Sequence, residues 1–288
     1  MVCKETISCP EHGFLLPEEI SWVGEEQQCK ECGLETVVGR VEKMSKSKKN
    51  VIDPNILLEK YGADTTRLFC LFAAPPERDL EWSEQGVEGG YRFLNRVWRL
   101  ALNWEGLIPD ARPFNGNPDQ LEGDTRALFK KNHATIKKVT RDIEDRFHFN
   151  TAISAVMELV NTMYGIDPAD KNPQKIEVMR LSMESVALLL SPIVPHFAEE
   201  LWEAIGFDTS ILLASWPSYR EDALVKDELL IVVQVNGKLR SKFYVDADED
   251  DDAVKEKALS DERVLKFIDD KPIKKIIVVK GKLVNIVV

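Results

Sequence analysis

Three features of the sequence predict a multidomain, mainly α-helical protein with a small Cys/His-rich β unit at its start and an α+β unit at its end. Four of the five cysteines (Cys3, Cys9, Cys29, Cys32 and Cys70) precede residue 33. From residue 84 to 206 apolar residues recur at helical spacing between Pro- and Gly-rich breaks. Beyond residue 226 the chain turns to β-branched runs, the first pair joined by Asn236-Gly237.

The cysteines come in pairs with a purpose. "CPEH" at 9–12 and "CKEC" at 29–32 each set two ligand types three positions apart. Side chains at that spacing converge on one ion, and two such knuckles complete a tetrahedron. Cys9, His12, Cys29 and Cys32 are therefore the expected ligands of a structural Zn2+, and residues 1–40 form a zinc-ribbon-like insert. Four protein ligands leave no open position for a reacting water. Cys3 fits the spacing less well; Cys70, inside the apolar run "RLFCLFAA", is expected in the core.

The helices follow in order. In "DPNILLEKYG" Asp53 caps, Pro54 takes the first position and Gly62 ends the helix; "DTTRLFCLFAAPP" gives a second, stopped by Pro75-Pro76. Val87, Tyr91, Leu94, Trp98 and Ala101 mark one face of a long helix, with Arg92, Arg96 and Arg99 on a neighbouring stripe. After a loop at 109–124, residues 125–147 read as a helix with Leu128, Phe129, Ile136, Val139 and Ile143 inward. Its other face carries Arg126, Lys130, His133, Lys137 and Arg141. Helices at 149–164 and 173–190 and a capped helix in "SPIVPHFAEELWEAIG" complete an antiparallel bundle over 84–225. His196 is expected to pack or cap, and Trp82, Trp98, Trp202 and Trp216 to anchor cores.

Residues 226–288 read as a ββαββ unit: a hairpin at Asn236-Gly237, a helical stretch at 252–268 entered through the acidic run 246–252, and a second hairpin about Gly281.

The formal net charge of −11 argues against indiscriminate nucleic-acid binding, so any such contact must use local basic faces. No apolar run suggests a secretory signal, and no segment approaches the ~18 residues of a membrane span. The expected compartment is the cytoplasm, with reduced thiols.

One segment contradicts that acidity. "GRVEKMSKSKKNVIDP", residues 39–54, holds four lysines and two serines. A cationic loop in an acidic protein is either a solvated surface or a place that an anion visits. "KMSKS" at 43–47 resembles the second signature loop of class I aminoacyl-tRNA synthetases. The flanking "KNVIDPNILLEKYGADTTRLFCLFAAPPERDLEWSEQGVEGGYRFLNRVWRL" resembles the same region of bacterial leucyl-tRNA synthetases. "SPIVPHFAEELWEAIG" resembles the anticodon-domain helix shared by the leucine, valine, isoleucine and methionine enzymes.

The resemblance implies a KMSKS loop with short helices over 41–83, a bundle of the class I anticodon-binding type, and a C-terminal unit that contacts tRNA. It implies that Lys43 and Lys46 are catalytic and that Lys43, Met44, Ser45, Lys46 and Ser47 bind ATP, used with Mg2+ to activate leucine. It also implies tRNA(Leu) as partner, with Arg92, Arg96, Arg99, Arg126, Lys130, Lys137 and Arg141 as candidate contacts. The family's first ATP-gripping signature, its editing domain and its leucine pocket find no counterpart here. The expected role is thus that of a C-terminal portion of leucine–tRNA ligase, whether of a longer chain or of a split enzyme, inactive without the N-terminal catalytic half. The alternatives are a valine- or isoleucine-type portion and a non-catalytic, stand-alone tRNA-binding protein.

Overall fold

A computed structural model describes residues 2–224, 228–246, 250–268, 272–279 and 282–288. The chain divides into two compact units, Met1–Ala223 and Leu224–Val288.

The first unit opens with β1 (Val2–Cys9), β2 (Gly13–Phe14), β3 (Ile20–Val23), β4 (Glu26–Cys29) and β5 (Val37–Lys43). β3 and β4 form their own hairpin, while β1 lies antiparallel between β2 and β5. The β1–β5 register sets Cys3 against Lys43 and Ser8 against Val37. This pairing crosses residue 40, so the Cys/His segment and the lysine loop share one sheet. The chain continues as α1 (Pro54–Tyr61), α2 (Ala63–Phe72) and β6 (Leu80–Glu81), which returns to pair parallel with β1.

The bundle comprises α3 (Glu84–Asn103), α4 (Gly123–Glu144), α5 (Phe149–Met163), α6 (Pro173–Leu190) and α7 (Pro195–Ala204). Local chemistry starts most of these helices. Ser83 accepts the Gly86 N–H at 3.1 Å, and Asn172 accepts that of Gln174 at 2.9 Å ahead of Pro173. The apolar faces meet in one core that includes Leu94, Trp104, Phe129, Ile136, Leu159, Met183 and Leu201. Each such side chain contributes roughly 1.5–3 kcal/mol by leaving water.

α7 lacks a cap of its own. Asp64, from the first turn of α2, accepts the Phe197 N–H at 2.6 Å and meets His196 Nδ1 at 3.1 Å. Arg67, one turn further on, donates to the carbonyls of Ile193 and Pro192 at 2.9 and 3.1 Å. The helices that follow the lysine loop are thereby fastened to the bundle. At another corner the buried Arg180 pairs with Glu184 at 2.5 Å, donates to Ile108 O at 3.1 Å and also bonds Ile205 O. It serves the carbonyl ends of two chain segments at once.

Several expectations need correction. Cys70 is exposed, because α2 turns Leu68 and Phe69 inward instead. Tyr91 and Trp216 are 43% and 40% exposed, so neither is a core anchor; Trp104, fully buried, is one. His133 does not belong to a basic face: it is buried against Phe129, ring centroids 4.4 Å apart, and its Nδ1 accepts the Arg220 N–H at 3.3 Å.

In the second unit β7 (Glu228–Val235) and β8 (Lys238–Asp246) form the expected hairpin. The single helix expected at 252–268 is two, α8 (Asp251–Ser260) and α9 (Glu262–Ile268). Asp261 interrupts them: its carboxylate accepts the N–H groups of Arg263 and Val264 at 2.8 and 3.2 Å and the Ser241 hydroxyl at 2.6 Å. β9 (Lys275–Val279) and β10 (Leu283–Val287) complete a sheet of order β8-β7-β10-β9, in which β10 runs parallel to β7. The turn expected at Gly281, residues 247–249 of the acidic run and the boundary at 225–227 lie outside the described residues. No helix among the described residues is long and apolar enough to cross a membrane.

His133 gives the first unit a pH signature. Burial, and next the Arg220 charge, lower its pKa from 6.5 to about 4, against the opposing pull of Asp222. The folded protein keeps the ring neutral where the unfolded chain protonates it. Stability should therefore be full above pH 6.5 and decline as pH falls towards 4, by at most about 3 kcal/mol from this group. His133→Gln should remove about one proton from the uptake on unfolding between pH 6.5 and 4.5, measured from the pH dependence of the urea midpoint.

Candidate functional site: a lysine loop beside a Cys/His knuckle

The lysine loop leaves β5 and closes immediately. Met44 N–H still bonds Val2 O at 3.0 Å, and a 3-10 turn then forms over Lys46–Lys48. Ser45 caps it, accepting the Lys48 N–H at 3.3 Å, and Lys49 exits in the left-handed region with φ 52°. Underneath sits Asn50, only 4% exposed. Its Oδ1 accepts the Ser45 N–H at 2.9 Å, while Nδ2 reaches the carbonyls of Lys4, Glu42 and Lys43 at 3.1, 3.2 and 3.4 Å. One carboxamide thus ties both ends of the loop to β1 and β5. An asparagine in a turn is a routine sequence signal; its contact with Lys4, 46 positions away, is not readable locally.

The loop's lysines fall into two groups. Lys48 pairs with Glu42, and Lys49 meets both Glu19 oxygens at 2.8 Å. Lys43 and Lys46 are exposed, and their side chains make no hydrogen bond or ion pair among the described residues. Ser45 and Ser47 hydroxyls lie 3.2 Å apart. The turn therefore presents two uncommitted ammonium groups, which could meet an incoming anion without first giving up a partner.

The Cys/His segment brings its four expected ligands together. Cys9 Sγ lies 3.4 Å from Cys32 Sγ and 3.7 Å from His12 Nδ1, and Cys29 Sγ lies 3.6 Å from the same nitrogen. All four donor atoms fall within 4.8 Å of one another, so one metal ion could bridge them. Each pair is followed by a glycine at positive φ, Gly13 at 68° and Gly33 at 74°, which turns the backbone back towards the donors. That repeated Gly was visible in "CPEHG" and "CKECG". Beyond the donors, His12 Nε2 lies 3.1 Å from Glu31 Oε2.

The basic helix residues are dispersed. On α3, Arg92 meets Glu88 at 3.3 Å, Arg96 donates to Asn161 at 2.9 Å, and Arg99 bonds Asn95 O at 3.3 Å. Arg96 also lies over the Tyr164 ring, and all three remain at least partly exposed. On α4 the row is broken at the buried His133; Arg126 reaches Asp119 at 3.4 Å and Lys137 reaches Glu221 at 3.2 Å. Lys130 is half-buried and Arg141 is exposed.

The chain as a whole is similar to known proteins. A family model described as "tRNA synthetases class I (I, L, M and V)" matches residues 36–83, the stretch holding the lysine loop. Another, "Anticodon-binding domain of tRNA ligase", matches residues 125–256 and so runs from the bundle into the second unit. The leucine–tRNA ligase of Desulfatibacillum aliphaticivorans is 60% identical over 288 residues, covering 100% of this chain and 33% of that protein. The chain is homologous throughout to leucine–tRNA ligases. The enzyme of that name from Syntrophus aciditrophicus is 50% identical over 290 residues, again with 33% of its length covered. The LeuRS of Agrobacterium radiobacter K84, agnB2, solved as a ternary complex with tRNA and LeuAMS, matches with a TM-score of 0.73 and 29% identity. That match covers 85% of this chain and 31% of the other. The chain aligns to the C-terminal part of these ligases and spans about a third of their length.

The Asn50 carboxamide should prove essential to the loop. Asn50→Asp keeps an acceptor for Ser45 N–H but sets oxygen against three carbonyls, and Asn50→Ala loses every bond. Each should weaken the loop locally by about 2–3 kcal/mol, the cost of buried backbone groups left unpaired. Hydrogen exchange at the Ser45 amide should accelerate accordingly.

Proposed function

We propose that this chain forms part of a leucine–tRNA ligase, supplying the loop that stabilises pyrophosphate departure during leucine activation and the surfaces that hold tRNA(Leu). The observation that carries this reading is the division among the loop's lysines. Lys48 and Lys49 are spent on Glu42 and Glu19, whereas Lys43 and Lys46 are held outward without partners among the described residues.

Leucine activation joins the amino-acid carboxylate to the α-phosphorus of ATP and expels pyrophosphate. Charge builds on the departing oxygens as the bond breaks, with Mg2+ travelling with the nucleotide as part of the substrate. Ammonium groups that meet this charge mainly in the transition state raise rate more than affinity. Lys46 stands on the turn itself, and Lys43 at its entry, so both act on the same phosphates. Met44, Ser45 and Ser47 shape the turn and border the nucleotide. The ATP-gripping and leucine-binding groups come from the N-terminal catalytic half, and the complete enzyme works in the cytoplasm.

The knuckle holds a structural Zn2+ in this reading. Zinc–sulfur bonds of about 2.3 Å and zinc–nitrogen bonds of about 2.0–2.1 Å give tetrahedral edges of about 3.8 and 3.6 Å. The Cys9–Cys32, Cys9–His12 and Cys29–His12 contacts of 3.4, 3.7 and 3.6 Å lie near those edges. His12 binds through Nδ1, leaving Nε2–H to donate to Glu31, a common partner for a metal-bound imidazole.

For tRNA, Arg92, Arg96 and Arg99 of α3 form the more continuous row and are assigned to backbone phosphates. The α4 residues Arg126, Lys130, Lys137 and Arg141 contribute less, because the row is interrupted and Lys137 is already engaged by Glu221.

Three measurements test this. In ligase reconstituted with the N-terminal catalytic half, Lys46→Ala should lower kcat for leucine-dependent pyrophosphate exchange by roughly 10²–10³ while barely changing leucine affinity. Unchanged exchange with weakened tRNA binding would instead make the loop an RNA contact. Purified protein should carry about one zinc per chain, lost in Cys29→Ser, by elemental analysis. Arg99→Gln should weaken tRNA binding and reduce its salt slope by about 1, leaving pyrophosphate exchange intact.

A further inference from the structure

We infer that Glu19 is a positioning residue for the lysine loop, linking the loop's geometry to metal loading of the Cys/His knuckle through its ion pair with Lys49. This rests on the loop and knuckle having the roles assigned above.

Glu19 belongs to the knuckle by its backbone. It lies in the short 3-10 turn Pro17–Glu19, between the two ligand pairs. Its N–H bonds Leu16 O at 3.0 Å, and its carbonyl accepts the Lys30 N–H at 3.0 Å, next to the ligand Cys29. The following residue, Ile20, pairs directly with Cys29 across β3–β4 and is buried with Cys9, Leu15 and Cys29. A small cluster of this kind has little apolar substance of its own, so an ion shared by four ligands supplies much of its rigidity.

The Glu19 side chain belongs to the loop. Both oxygens contact Lys49 Nζ at 2.8 Å, and Oε2 also accepts the Leu16 N–H at 2.7 Å. Lys49, and then the Leu16 N–H, hold the Glu19 carboxyl below its ordinary range. Lys49 closes the turn that bears Lys46, its N–H bonding Lys46 O at 3.2 Å. Moving Lys49 therefore moves the backbone that aims Lys46. The opposite side of the turn is held by Lys48 on Glu42, from β5 itself. Glu42 anchors the turn to its own strand, whereas Glu19 anchors it to an element whose order depends on the metal. The metal never approaches the substrate; its effect on the loop passes through one carboxylate.

Hydrogen exchange of the Lys46–Lys49 amides in the full chain tests this without any need for catalysis. Glu19→Gln should speed exchange there by about five- to tenfold while zinc content, read by elemental analysis, stays near wild type. Chelating the metal should speed the same amides in the wild-type chain by a similar factor and add less than about twofold in Glu19→Gln. Lys49→Gln, which leaves the knuckle untouched, should reproduce the Glu19→Gln effect, and the double variant should not exceed either. Unchanged exchange in both single variants would overturn the inference. So would an equal acceleration by chelator in wild type and Glu19→Gln, since the knuckle would then act by another route. A failure here is separate from a failure of Lys46→Ala to slow pyrophosphate exchange, which addresses the loop's chemistry and not its anchoring.

Discussion

The antiparallel pairing of β1 with β5 is the constraint on which the rest of the first unit depends. β1 ends in Cys9, one of the four clustered donors, and the far end of the same pairing sets Cys3 against Lys43, the first lysine of the loop. Six residues of strand separate the two, about 20 Å at the usual rise. Asn50 needs both strands, because it bonds Lys4 O from β1 and Glu42 O and Lys43 O from β5. Glu42 takes Lys48 from a position in β5. β6 returns from beyond α2 to the other side of β1, where Trp82 N–H bonds Cys3 O at 2.8 Å. A slip of one residue in this pairing would move Asn50's acceptors out of reach and turn every side chain to the opposite face.

Within that frame the loop's positive charge is sorted. An acidic chain with net charge −11 has carboxylates to spare, and two of them fix Lys48 in the turn and Lys49 at its exit. Exposed ion pairs of this kind add little stability, commonly less than about 1 kcal/mol each. Their service is geometric: they hold the turn so that Lys43 and Lys46 project without partners. A compact ammonium on a flexible stem stays mobile there, whereas a guanidinium locked in a fork would not move as readily. The two helix rows differ in continuity: the α4 row is broken at the buried His133, whereas the three α3 arginines all keep exposed surface.

What could be read in advance follows the range of the forces involved. Helices α3 to α7 repeat apolar residues every three or four positions because one face of each meets the common core, and that pattern needs no knowledge of the partner. The gathering of Cys9, His12, Cys29 and Cys32 was equally legible, because the spacing within each knuckle is local. Residues whose roles come from distant chain were not. His133 lies on the angular stripe of Arg126 and Lys137, yet the segment that carries Arg220 folds over it and strips its water. Cys70 sits in an apolar run, but the ten-residue α2 has one buried face, and Leu68 and Phe69 fill it. Lys48 and Lys49 look identical to Lys43 and Lys46 in sequence; only the placement of Glu42 and Glu19 tells them apart. Asp261 was hidden by composition, since a helical stretch rich in charge gives no sign that one aspartate will end a helix and start the next.

The loop and the bundle are also joined by polar contacts. Asp64 supplies the cap that α7 cannot make for itself, and Arg67, on the same short helix, holds the carbonyls just before α7. Both residues lie in α2, within two dozen positions of Lys46. An uncapped helix start and unpaired carbonyls in a packed corner are expensive, so α2 cannot move independently of α7 without exposing them. α7 in turn packs on α3, where Trp98 meets Phe197 edge to face at 6.2 Å. The lysine loop and the α3 arginines are therefore carried on one continuous set of packed elements. This linkage lets a displacement of α2 reach α3 through α7, so the loop end and the bundle end of the first unit hold a fixed relation to each other.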